Sequence, residues 1–125
     1  MLREIPDIYQ IPGEPFRRWF TGEDMDLIIW YYDDLYSFQG FQFCYKLGRL
    51  EKALTWLEGK GYTHETIYDG EDRPGRHKMS PIMLREASFQ KDEVLILFQS
   101  RIEYLERNII EFVCKKIQET PATVR

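Results

Sequence analysis

The stretch Ser37-Phe38-Gln39-Gly40-Phe41-Gln42-Phe43-Cys44-Tyr45-Lys46-Leu47-Gly48-Arg49-Leu50-Glu51-Lys52-Ala53-Leu54-Thr55-Trp56-Leu57 decides the fold. Its first half alternates: Phe41, Phe43 and Tyr45 share one face, and Gly40, Gln42 and Cys44 the other. Its second half does the same, with Leu54 and Trp56 against Ala53 and Thr55. A period of two is the signature of a strand with one side in a core. Between the halves stands Lys46-Leu47-Gly48-Arg49, whose glycine can take the positive φ of a tight hairpin turn. Two alternating runs around such a turn read as an antiparallel hairpin.

The pattern extends in both directions. Phe16 to Phe20 and Met25 to Tyr32 read as strands separated by Thr21-Gly22-Glu23-Asp24. The second is apolar on both faces (Leu27, Ile29, Tyr31 and Ile28, Trp30, Tyr32), as expected of a central strand covered on part of both sides. Asp33-Asp34 begins the turn that follows. Downstream, Glu58-Gly59-Lys60-Gly61 turns into a strand over Tyr62 to Tyr68. Turns every ten residues or so predict an antiparallel meander of four to five strands over 16–68. Ile5 to Pro15, with three prolines and a glycine, is expected to lie extended, as part of an N-terminal segment over 1–15. Residues 69–87 read as a polar loop.

Residues 88–118 change period and contain neither Gly nor Pro. Leu95, Phe98, Ile102, Leu105, Ile109 and Phe112 recur at spacings of three and four, the stripe of an amphipathic helix. Ser88 is a suitable cap, Asp92 and Glu93 favour a first turn, and Lys115 and Lys116 a last one. An unbroken helix from Phe89 to Ile117 would be about 43 Å long. A domain of this size is only about 36 Å across. The expectation is a break around Tyr104 to Asn108, the alternative an end that protrudes onto a partner. A sheet with one apolar face needs a cover, so the fold class is α+β: a single domain over 1–125, its β-meander covered by a C-terminal amphipathic helix or helix pair.

Composition supports this. Of 19 aromatic residues, 15 lie between Tyr9 and Tyr68, where the sheet needs a core. In 125 residues about two-thirds of the unfolded surface can be buried, enough for a core without metal or disulfide staples. The formal charge of −4 argues against nucleic acid as a partner. That charge is uneven: residues 1–34 carry three bases and eight acids, net −5, and residues 35–125 net +1. The N-terminus lacks the apolar stretch of a secretory signal, and no apolar run approaches a membrane span of about 18 residues. These readings point to a soluble cytoplasmic chain that engages no membrane and keeps Cys44 and Cys114 reduced.

Chemistry-bearing residues concentrate between His64 and Lys78. Both histidines are there, with Glu65, Asp69, Glu71, Asp72, Arg73 and Arg76. The plain reading is a solvated loop whose charges neutralise one another. The sharper one is a ligand or anion site built from His64, Asp69, Glu71, Arg73, Arg76 and His77, the imidazoles as base or ligand and an arginine holding the anion. The spacing matches no zinc, HExxH or EF-hand pattern, so no metal site and no cofactor is assigned. Arg17 and Arg18 face opposite ways on a strand and cannot form one anion clamp unless the strand is bulged; one of them is expected to pair with an acid such as Glu14, Glu23 or Asp24. Trp19, Trp30, Phe41, Phe43, Tyr45 and Trp56 read as sheet packing, against the alternatives of a ligand pocket or a base-stacking surface. No nucleophile elbow, P-loop or dinucleotide fingerprint is present, so no catalytic residue is assigned.

Several patterns occur together: Ile11-Pro12-Gly13-Glu14-Pro15-Phe16-Arg17-Arg18-Trp19-Phe20, Asp26-Leu27-Ile28-Ile29-Trp30, Gly40-Phe41-Gln42-Phe43-Cys44-Tyr45, Ala53-Leu54-Thr55-Trp56, Gly61-Tyr62-Thr63-His64, and Asp69-Gly70-Glu71 followed by Pro81-Ile82. In this combination, over residues 3 to 84, the chain resembles a family of small uncharacterised bacterial proteins. The resemblance implies a bacterial cytoplasmic setting and carries no activity, cofactor or substrate. Tyr68-Asp69 stands where that family often has a more acidic pair, which weakens any metal reading there. The functional expectation is a noncatalytic interaction or assembly domain, working through a protein partner or as a homodimer. The alternative is a small-ligand or metal-binding protein, or an enzyme, that uses the His64–Lys78 loop.

Overall fold

The computed structural model describes residues 1–68, 82–85, 89–122 and 124. Strands β1 (Arg3–Glu4), β2 (Phe16–Gly22), β3 (Met25–Tyr31), β4 (Phe38–Leu47), β5 (Leu50–Leu57), β6 (Gly61–Tyr68) and β7 (Ile82–Arg85) precede helices α1 (Lys91–Gln99) and α2 (Arg107–Glu119). The strands form one antiparallel sheet in chain order. The α+β meander stands, but with six strands of four residues or more and a two-residue edge strand, not four to five. The extra strands come from segments read as coil. Arg3–Glu4 pairs with Phe20 and Thr21 inside the N-terminal segment, and Ile82–Arg85 pairs with β6 inside the stretch assigned to a loop over 69–87. Neither is long enough to show an alternation. The rest of that loop assignment, and Ser88, lie outside the described residues.

Cross-strand register explains which side chains form the core. Phe20, Leu27, Phe43, Leu54 and His64 stand in one row across β2 to β6, and Arg18, Ile29, Phe41, Trp56 and Tyr62 in the next. On this inner face Leu27, Ile29, Phe41, Phe43, Tyr45 and Leu54 are wholly buried. The helices cover it: Phe98 of α1 meets Phe43 edge-on at 5.4 Å, and Phe112 of α2 meets Phe41 and Trp56, each at 5.9 Å. At 4.5 Å from Phe112 stacks Phe38. Simple alternation would place Phe38 on the outer face, with Gly40. The register slips between Trp30 and Tyr31, so that Phe38 pairs with Tyr31 and turns inward. The outer face carries no helix among the described residues, and Ile28 and Trp30 are only half-buried there. Strand β3 is therefore central, buried on its inner face and covered in part on its outer one.

The two hairpin turns expected at glycine do use it, with φ of 83° at Gly48 and 85° at Gly59. In the β2–β3 turn the positive φ falls on Asp24 (58°) and not on glycine, a conformation aspartate tolerates better than most residues.

The helical segment breaks over 100–106, starting earlier than expected. No Gly or Pro is responsible. The carbonyl of Arg101 accepts the N–H of Leu2, just before β1, at 3.1 Å, and the Leu105 N–H turns to Ile102 instead. A continuous helix would bond Leu105 to Arg101. Leu2 is wholly buried beside this break. The predicted stripe still reaches the core: Phe98, Leu105 and Ile109 are buried, and Leu95, Ile102 and Phe112 pack against them. The break also lets Val94, Val113 and Ile117 bury completely.

One further clasp holds these parts together. The Arg18 guanidinium donates to both carboxylate oxygens of Glu4 on β1 (2.7 and 2.9 Å), to both of Glu106 at the start of α2 (2.9 and 3.2 Å), and to the Tyr31 hydroxyl (3.3 Å). Glu4 and Glu106 are its partners, not the expected Glu14, Glu23 or Asp24. These two acids are distant in sequence and reach Arg18 only through the tertiary fold.

Close packing makes Gly40 sensitive. A Cβ there would collide with the Trp56 carbonyl and sit 2.7 Å from a Leu57 methyl. Gly40→Ala is expected to cost about 1–3 kcal/mol in urea unfolding; a loss below a few tenths would show that β5 yields freely.

Candidate functional site

Of the sequence-predicted site residues, His64 alone lies among the described ones; Asp69, Glu71, Arg73, Arg76 and His77 lie outside them. His64 stands on the inner face of β6, 2% exposed, opposite Leu54. Its Nε2 lies 2.5 Å from the Tyr45 hydroxyl, which reaches it from β4 across the intervening β5. The two rings run nearly parallel (12°), and Phe89 closes edge-on against the imidazole at 4.9 Å. A histidine in an otherwise apolar row requires hydrogen bonding, since an unmatched polar group there costs several kcal/mol. Glu65, its neighbour in sequence, belongs to the opposite face, as alternation requires.

The pair floors a cleft of about 430 Å³ at the end of the sheet that carries the β4–β5 turn. Lys52 of β5 and Gln90 and Glu93 at the start of α1 line its walls. The arrangement supplies a phenol–imidazole pair, an ammonium and a carboxylate. Reading by sequence placed Tyr45 among the core aromatics and passed over Lys52, Gln90 and Glu93. Lys52 shares the Tyr45 row by register, but Gln90 and Glu93 arrive through helix docking that no local pattern announces.

A second concavity lies at the opposite end of the sheet. Glu14 and Pro15 from the segment before β2, Tyr32, Asp33 and Asp34 from the β3–β4 connection, and Gln39 of β4 surround an open depression of about 810 Å³. Here the chain is shaped by Asp34. One carboxylate oxygen accepts the N–H groups of Tyr36 and Ser37, each at 2.8 Å, and the other accepts the Ser37 hydroxyl at 2.6 Å. These bonds hold the Asp34 carboxyl below the usual aspartate range. Leu35 is held at φ 59°, a region a branched side chain rarely enters. The loop thereby displays Leu35 and Tyr36, 59% and 75% exposed. The signal available in the sequence was Asp33-Asp34 followed by Leu35-Tyr36, two large apolar residues where a turn is ordinarily polar.

The other residues weighed from sequence divide by face. Phe41, Phe43 and Tyr45 are core, Trp56 is packed at its margin with the Lys116 ammonium 3.9 Å from its ring centre, and Trp19 and Trp30 belong to the outer face. Arg17 donates to the Tyr9 carbonyl at 3.0 Å, with its guanidinium over Trp19 at 5.6 Å. Both cysteines are free thiols, and burial pushes Cys44 up to about 12. Among the described residues no group of three or more His, Cys, Asp or Glu is placed to hold a metal ion, and no helix is long and apolar enough to cross a membrane.

Two experiments test these electrostatics. Tyr45→Phe removes a buried partner of His64 and is expected to cost about 1–3 kcal/mol by chemical denaturation; an unchanged midpoint would mean the hydrogen bond contributes nothing. Arg18 holds the Glu106 carboxyl below its ordinary value. A carboxylate whose folded pKa is depressed stabilises the fold above its unfolded pKa, about 4.3, and loses that contribution as pH falls through the folded value. Stability should therefore decline below about pH 4.5, and more shallowly in Arg18→Met; equal slopes would separate Glu106 from the acid response.

No protein-family model, curated protein or solved structure matches the chain.

Proposed function

We propose that this protein is a noncatalytic interaction domain whose contact surface is the end of the sheet built by the β3–β4 loop. One observation carries the reading: Leu35 and Tyr36 are held outward by a loop that Asp34 braces through three hydrogen bonds. A positive φ at a leucine is costly, and conformations of that kind persist where the surroundings impose them and cluster at binding sites. Exposed apolar groups on a fixed support are how proteins present anchors to a partner. The bacterial, cytoplasmic setting implied by the sequence patterns belongs to the same proposal, as does a homodimer among the assembled forms.

A second reading keeps the cleft at His64 as a small-ligand site. It is favoured by the convergence of His64, Tyr45, Lys52, Gln90 and Glu93 on a volume within the range of ligand pockets.

Site-specific photocrosslinking separates the two. A benzophenone amino acid at position 36 should give a discrete adduct in cells that is lost when Leu35→Ser is added. The same group at position 49, on the opposite end of the sheet, should give none. An adduct of twice the chain mass identifies self-association. Equal labelling at both positions, or none at 36, removes the interaction reading.

A further inference from the structure

The exposed hairpin tip is flanked by one sign of charge. Beside Leu35 and Tyr36 lies the depression of about 810 Å³, whose wall carries the carboxylates of Glu14, Asp33 and Asp34 and the ring of Tyr32. Among the described residues no cation lines it. Asp34 is committed to bracing the loop and stays ionised, while Glu14 and Asp33 make no side-chain ion pair among the described residues. Five other described acids are paired, Glu4 and Glu106 with Arg18, Asp24 with Lys46, Glu111 with Arg107 and Glu119 with Lys116; here three carboxylates face one space that no described cation lines. The N-terminal third as a whole is net −5. Three carboxylates around one depression thus lie beside two exposed apolar residues, and tyrosine faces attract cations as well as apolar groups.

From this charge complementarity we infer that the surface takes a cationic, partly apolar peptide segment of a protein partner. Its lysine or arginine side chains enter the depression against Glu14 and Asp33, and its apolar side chains cover Leu35 and Tyr36. The inference rests on the interaction reading and names the partner's chemistry. Apolar contact supplies the affinity here, and the carboxylates supply selection and association rate. Binding should accordingly weaken with salt, since the carboxylates stand at an open surface.

The test uses a fluorescein-labelled peptide of alternating arginine and leucine, and a matched peptide of alternating glutamate and leucine, titrated into the full chain by fluorescence anisotropy. The arginine peptide should bind and the glutamate peptide should not. Glu14→Gln with Asp33→Asn, both close in shape to the native residues and neither touching the Asp34 brace, should weaken the arginine peptide about tenfold or more. Leu35→Ser with Tyr36→Ser should weaken it at all salt concentrations, whereas the charge pair should lose its effect as salt rises. Circular dichroism melting confirms that each variant is folded. Equal binding of the two peptides, binding of neither, or an undiminished affinity in the charge variant would overturn the inference. A crosslinked adduct at position 36 that survives Glu14→Gln with Asp33→Asn would leave the interaction reading standing without it, and the absence of any adduct would remove the reading itself.

Discussion

A single sheet with one apolar face has to be covered, and here about thirty residues after the last strand do the covering. Removing that face from water is the dominant stabilising contribution available to the chain. The requirement sets the rest of the architecture. A straight helix of that length would overhang the sheet, so the segment folds into two, and Val94, Phe98, Ile109, Val113 and Ile117 all reach the core. Its connection is held from outside by the N-terminal strand: Leu2 fills the gap, its N–H occupies the Arg101 carbonyl, and Arg18 ties Glu4 and Glu106 together. The first and last parts of the chain are mutually dependent.

The same arrangement sorts the charged and polar groups. Arg18, on the inner face at the sheet margin, becomes a structural centre; Arg17, one residue earlier, faces the other way and braces the N-terminal segment through Tyr9. Two carboxylates on one partly buried guanidinium form a bidentate network, stronger than isolated surface pairs, which contribute little. His64 is drawn into the core row and matched by Tyr45. The end of the sheet at the β3–β4 connection shows another disposition: apolar side chains outward, carboxylates unbalanced, and a backbone conformation maintained by hydrogen bonds. Packing and hydrogen bonding within the fold account for the first two groups.

The meander was legible because strand alternation is local. Ser37 to Leu57 displays both faces and the turn, and the hairpin lies where that pattern puts it, with β5 matching Leu50–Leu57 at both ends. Less legible were β1 and β7, too short to show a period. The Phe38 inversion was also hidden, since a bulge changes which face a residue occupies without changing the sequence pattern. At the candidate sites, His64 was singled out for its chemistry. Its partner Tyr45 was taken for an ordinary core aromatic, because both are inner-face residues and only the reach of a phenol across β5 distinguishes them.

By itself, the sequence determined the order of the longer elements, the two faces of the β4–β5 hairpin and the need for a helical cover; each follows from periodicity and from the length of chain available to bury it. Tertiary structure decided where the cover breaks, which acids Arg18 binds, and which residues meet His64. Those outcomes depend on groups far apart in the chain, such as Leu2 with Arg101 and Glu4 with Glu106, whose encounter requires the sheet and helices to have docked first. The unequal display of charge and apolar surface at the β3–β4 end is of the same kind: Glu14 lies about twenty residues before Asp33 and Asp34, and only antiparallel pairing of β2 with β3 sets them around one depression.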